Sequence, residues 1–277
     1  MWNQRTFETH PVRVWDRQRL LLALIGATAV VVTVLVGLAM LVMQAVHPTQ
    51  DAGGDAPSLG GQSGASSPAQ LRDQIAAAPM ASVDAAAATR PDPALTPAPP
   101  IRLPYAVVGR GPAGIQVYDH SSEGAVAQLA AIDVAVLEAM DVTYTGEVHS
   151  AWALPGGPSL EQWDIATNVT AFLRGSRQAA AKDEATSVQV TPAGGLIKGT
   201  DGPDWVLACV LLDVRATIQT DYRMGWGHCA RMQWSDGRWQ IGPGGPPATA
   251  PSAWPGSRAA VAAGWLTWES AEQGVQR

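Results

Sequence analysis

The chain has 277 residues, a formal net charge of −6 and a pI near 5.3, with Ala, Gly and Pro abundant and Lys rare. The acidic balance argues against a general nucleic-acid surface. Two cysteines, Cys209 and Cys229, are too few for a zinc ribbon or a disulfide scaffold.

Residues 1–19 form a basic arm, with Arg5, Arg13, Arg17 and Arg19 against Glu8 and Asp16. Residues 20–46, LLLALIGATAVVVTVLVGLAMLVMQAV, carry no charge, and only Thr28, Thr33 and Gln44 are polar. As a helix this run is about 40 Å long, more than the roughly 30 Å of a hydrocarbon core. The arginine bias predicts a single-pass signal anchor in the cell membrane, with the N-terminus cytoplasmic and the C-terminal domain extracellular. A cleaved signal peptide fits less well: the apolar core is too long, and Gln44-Ala45-Val46-His47-Pro48 is a poor cleavage site. The run has no ionisable group and no strict G-x-x-x-G, so it reads as an anchor and not a conduction path.

Residues 47–104 read as a disordered Pro/Gly/Ala-rich linker, because such a composition buries too little apolar surface to offset the ordering entropy. Residues 70–78, QLRDQIAAA, are the one helix candidate within it. The folded domain is expected over 105–277. Residues 115–118, IQVY, suggest a short strand. Ser121 or Ser122 then caps a helix running to about Met140, apolar around most of its circumference. Ser159-Leu160-Glu161-Gln162 is a capping box that opens a second helix, extending to about Ala181.

After residue 185 the period changes to two. Strands are expected over 186–191, 205–219 and 222–234, with Val206, Ala208, Val210, Leu212 and Val214 on one apolar face. Ser235-Asp236-Gly237-Arg238 is the clearest turn. Asp236 and Gly237 suit a two-residue type I′ hairpin that pairs Trp234 with Trp239. Residues 243–251 end the sheet, and 257–263 form a short helix packed by Trp254, Trp265 and Trp268. Helices followed by three or four antiparallel strands make an α+β domain, a curved sheet around the long apolar helix. Nothing in the pattern requires a parallel pair.

An antiparallel hairpin centred on Gln219 places Cys209 opposite Cys229 on one face, which predicts a disulfide in an oxidising compartment. A bulge that shifts the register by one would instead leave two small buried thiols.

Few other residues suggest chemistry. Gly109-Arg110-Gly111-Pro112-Ala113-Gly114 matches a dinucleotide fingerprint, but a strand-like run follows where the motif needs a helix. None of the five histidines pairs at helical metal-site spacing. Asp119-His120-Ser121 are adjacent residues and cannot form a triad, so His120 reads as a loop residue. His228 falls on an apolar strand face, as a satisfied core histidine or, less simply, a functional group. Asp133 and Glu138 are five apart and do not share a helix face; exposure on the helix edge is expected for both. The Asn168-Val169-Thr170 sequon lies inside a helix and reads as chance. No catalytic, cofactor-binding or metal-ligating set is therefore expected, and no cofactor.

A short cytoplasmic arm, one span, a Pro/Ala linker and an outer domain resemble the single-pass membrane proteins of actinobacterial conjugative elements. These are akin to the inner-membrane assembly factors of type IV secretion systems. Residues 114–118 with 122–127 look like that family's entry into its first helix, and residues 232–239 like its last hairpin. The resemblance covers residues 105 to about 241. It implies a cystatin-like, or nuclear-transport-factor-2-like, outer domain with helices packed on a curved antiparallel sheet. It also implies a non-enzymatic scaffold that contacts other membrane or envelope proteins of a transfer complex, without nucleic acid, singly or as a homo-oligomer. The alternatives on the same fold are an accessory factor of an actinobacterial lipid importer and a small-ligand-binding or enzymatic domain.

Overall fold

Local sequence chemistry sets the first long helix. Ser121 accepts a hydrogen bond from the Gly124 amide, Glu123 stands in the first turn, and Met140 ends the helix in the left-handed conformation. In a computed structural model describing residues 67–271, this helix, Ser122–Ala139, packs in an α+β domain built on a curled six-strand sheet. The basic arm and the apolar run at 20–46 lie outside the described residues, so the membrane anchor does too. Among the described residues, no helix is long and apolar enough to cross a membrane.

The described elements in chain order are α1 (Pro68–Ala77), β1 (Pro100–Leu103), α2 (Ser122–Ala139), α3 (Val142–Trp152), α4 (Asp164–Gly175), β2 (Ser187–Thr200), β3 (Trp205–Thr217), β4 (Asp221–Ser235), β5 (Arg238–Ile241), α5 (Arg258–Ala262) and β6 (Leu266–Ser270). The strand order is β1-β6-β2-β3-β4-β5. All neighbours run antiparallel except β1 and β6, which are parallel. Two register shifts in β2, at Pro192/Gly194 and Ile197/Gly199, bend the sheet. The helices α2, α3 and α4 cover one face, and Leu129, Ile132, Val136, Trp152, Ile165 and Val169 fill the core against Val206, Val210 and Leu212.

The structure corrects several expectations. Residues 67–104 are not all linker. They supply α1, a 3-10 turn at Ala85–Ala88 and β1, and they bury Ala76, Ala88, Ile101 and Leu103. Together with residues 243–265 they form a second layer on the far face of the sheet. For this reason β3 is buried on both faces from Trp205 to Asp213, where one apolar face was expected. Residues 115–118 do not join the sheet. The buried Gln128 amide takes their backbone instead, donating to Gln116 O at 2.9 Å and accepting from Tyr118 N at 3.2 Å. The capping box at Ser159 opens only a 3-10 turn, Leu160–Gln162; α4 starts afresh at Asp164 and stops at Gly175, short of Ala181. Neither α3 nor β6 was anticipated. An Asp141 N-cap, accepting from Tyr144 N, holds α3 despite its β-branched residues and glycine.

Candidate functional site

The register expected for β3 and β4, centred on Gln219, is present: Trp205 pairs with Gln233, Val210 with His228, and Cys209 with Cys229. The Cα atoms of Cys209 and Cys229 stand 4.0 Å apart, and their sulfurs are bonded. The disulfide faces the second layer, where Met80 Sδ lies 3.4 Å from Cys229 Sγ. At the β4–β5 turn, Asp236 and Gly237 both adopt positive φ, 52° and 75°, as a type I′ loop demands, and Trp234 pairs with Trp239. His120 is not an idle loop residue. Its Nε2 meets Asp204 Oδ1 at 2.7 Å and its ring stacks on Trp234 with centroids 4.3 Å apart. Trp239 Nε1 closes this corner by donating to Asp119 O at 2.9 Å.

The one buried acid–base pair among the described residues joins α2 to β4. His228 Nδ1 lies 2.7 Å from Asp133 Oδ2, and both residues are buried. The expected exposure of Asp133 is therefore overturned, while Glu138 is exposed and accepts from the Val190 amide at 3.0 Å. Position explains the difference. Asp133 follows Leu129 by four and precedes Val136 by three, on the stripe that faces the sheet, whereas Glu138 does not. That spacing was the available signal: one acid in an apolar helical stripe and one base in an apolar strand face.

Burial pushes the Asp133 carboxyl up, and the His228 charge and hydrogen bond pull it only partly back. Burial pulls the His228 imidazole down, but the Asp133 charge and hydrogen bond, with the Asp164 charge, outweigh this and hold it above 6.5. The carboxylate fixes the ring as a donor at Nδ1, which leaves Nε2 as the atom for chemistry with a ligand. Trp226 stacks on the imidazole, centroids 5.1 Å apart. His228 also lines two adjoining clefts, of about 40 and about 290 Å³, and Asp164 lines both with it.

A second charged cluster lies on the exposed half of the β3–β4 ribbon. Arg223 Nε donates to Asp213 Oδ1 at 2.8 Å and its Nη2 to Oδ2 at 2.7 Å, while Arg215 Nη2 donates to the same oxygen at 3.2 Å. Burial raises the Asp213 carboxyl, yet the two arginines outweigh it and hold it below the ordinary carboxylate range. The Arg223 guanidinium lies over Trp254, 4.4 Å from the ring centroid. This cluster fastens the ribbon to the second layer. Among the described residues, no three His, Cys, Asp or Glu side chains converge as a metal site. No family model, no curated protein and no solved structure matches the chain significantly.

Proposed function

We propose that this chain is a membrane-anchored, non-enzymatic scaffold component of a conjugative, type IV secretion-like transfer complex. Its apolar run at 20–46 is the anchor, and its folded domain stands outside the cell and contacts other membrane or envelope proteins. The observation that carries this reading is the Cys209–Cys229 disulfide, which favours an oxidising compartment on the side opposite the arginine-rich arm. Helices on one face of a curled sheet are also what the resemblance implies, and support a nuclear-transport-factor-2-like domain. With residues 67–104 in the folded domain, the tether is residues 47–66. Tyr222 and Met224, exposed on the β3–β4 ribbon, and Val107 and Val108, exposed before α2, supply apolar contact points.

Two experiments test the reading. Alkaline phosphatase and a cytosolic reporter are fused, separately, after Arg277. Phosphatase activity alone is expected, and activity of the cytosolic reporter alone would overturn the orientation. Crosslinking in cells that express the chain is expected to capture envelope or membrane proteins of a transfer apparatus. Capture of lipid-importer subunits instead would replace this reading with the importer alternative.

A further inference from the structure

The two ends of α4 carry opposite charge, and the stretch between them carries none on its outer side. Ile165, Ala166, Val169 and Leu173 face the core. Thr167, Asn168, Thr170 and Ala171 are exposed on the other side, where a solvated helix normally holds charged residues. Glu161, in the 3-10 turn before the helix, and Asp164 in its first turn are the acids at one end. Arg174, in the last turn, is the base at the other. The helix between them is about 18 Å long. Glu161 is hydrogen-bonded to Ser159, and neither Glu161 nor Arg174 is in a salt bridge among the described residues. Both are exposed.

A groove of about 400 Å³ runs along α4 on the side of α3. Its wall includes Val142, which is 41% exposed at the start of α3, and Leu160. Thr167, Thr170 and Ala171 form the α4 lip, and Glu161 and Arg174 both line the groove. A ridge of small side chains therefore stands beside an apolar groove, with an acid and a base at opposite ends.

Such a surface is its own complement. A two-fold axis perpendicular to α4 sets a second copy of the helix antiparallel to the first. The ridge of each copy then falls in the groove of the other, and Arg174 of each reaches Glu161 of the other. The opposed helix dipoles add to the fit. Small contact residues let the axes close to about 8 Å, the near end of helix packing. The groove alone would accept any apolar segment. Its charges select a helix that is acidic where it meets Arg174 and basic where it meets Glu161, and α4 reversed is such a helix.

We propose that the chain pairs with a second copy of itself through α4. In this dimer Thr167, Thr170 and Ala171 of each copy cover Val142 and Leu160 of the other, and Glu161 pairs with Arg174 at both ends. The pairing goes beyond the scaffold reading and is measured on the isolated chain, so it stands or falls whichever envelope proteins the domain contacts.

Analytical ultracentrifugation of the full chain in detergent, across a dilution series, reads the self-association. A dimer that dissociates on dilution is expected. Arg174→Glu sets acid against acid at both ends and is expected to weaken the dimer by about tenfold or more. Glu161→Arg is expected to do the same by setting base against base. The double variant, Glu161→Arg with Arg174→Glu, restores opposite charges and is expected to recover most of the lost affinity, which damage to the fold by either change would not allow. A chain that stays monomeric, whether or not it captures another envelope protein, would overturn the proposal. So would a dimer as tight in Arg174→Glu as in the parent, which would place the contact elsewhere, and so would no recovery in the double variant.

Discussion

The two faces of the sheet are covered by different means. On the helical face, Leu129, Ile132, Trp152, Ile165 and Trp239 bury bulky side chains into one continuous core. On the opposite face the covering layer is mostly alanine: Ala76, Ala250, Ala253, Ala260 and Ala263, around Trp205, Leu207, Leu211 and Trp265. An alanine methyl removes little apolar surface from water, so this layer needs other means. Backbones come close instead: a Cβ on Gly225 would lie 1.8 Å from Ala253 O, and one on Gly227 2.6 Å from Pro251 O. Segments near the two ends of the domain then hydrogen-bond to each other. Trp254 N donates to Ala87 O at 2.7 Å, Arg258 N to Asp92 O at 2.8 Å, Ala248 N to Ala76 O at 2.9 Å and Ala94 N to Gly256 O at 3.0 Å. One face is held by volume. The other is held by proximity, a disulfide and ion pairs such as Arg72–Asp201 and Arg258–Asp92.

The contrast is tested first where the expected effect is largest. Leu129→Ala or Ile132→Ala should each lower the unfolding free energy by about 2–5 kcal/mol, read by chemical denaturation. Removing the disulfide with Cys209→Ala and Cys229→Ala together should cost about 3 kcal/mol, the chain-entropy value for a loop of this length. The loss should concentrate on the alanine side, seen as faster hydrogen exchange at Trp254 and Ala248 than in the parent. A loss shared equally by α2 would erase the distinction drawn between the faces. Gly225→Ala should cost about 1–3 kcal/mol by forcing the loop at Ala253 off the strand. A variant as stable as the parent would show that the second layer is not tightly seated.

The helical face was legible because its residues carry a period: α2 and α4 at helical spacing, and β3 and β4 at a spacing of two. The register followed from the same periodicity, and Asp236-Gly237 fixed the neighbouring hairpin. The alanine face carried no such signal. Pro, Gly and Ala between residues 67 and 98 read as linker, since no periodic apolar run marks a segment that docks through backbone hydrogen bonds. The buried pair was half legible. His228 falls on an apolar strand face, and Asp133 and Glu138 share no helix face, but only the Leu129–Val136 stripe tells which of the two acids is buried. That two such residues meet across 95 positions is a property of packing, which one sequence does not print.

A smaller and graded effect tests the helical core through its buried pair. The folded His228 holds its proton more tightly than the unfolded chain, its pKa being raised above 6.5. Its contribution is therefore fully present below about pH 6.5 and is lost as pH rises through the raised value. The slope reaches at most about 1.4 kcal/mol per pH unit for one proton. Denaturation midpoints measured from pH 6 to pH 9 should fall, and His228→Gln should flatten that fall. An equal slope in the variant would assign it to other groups.

Hydrogen exchange on the full chain tests most directly whether residues 67–98 belong to the folded domain. The amides of Ala94, Trp254, Arg258 and Ala248, each bonded between the segments near the two ends of the domain, are predicted to be protected well above unstructured rates. They should open before the α2 amides. Exchange of Ala94 and Trp254 at unstructured rates, with α2 still protected, would contradict the two-layer account and return residues 67–98 to the linker.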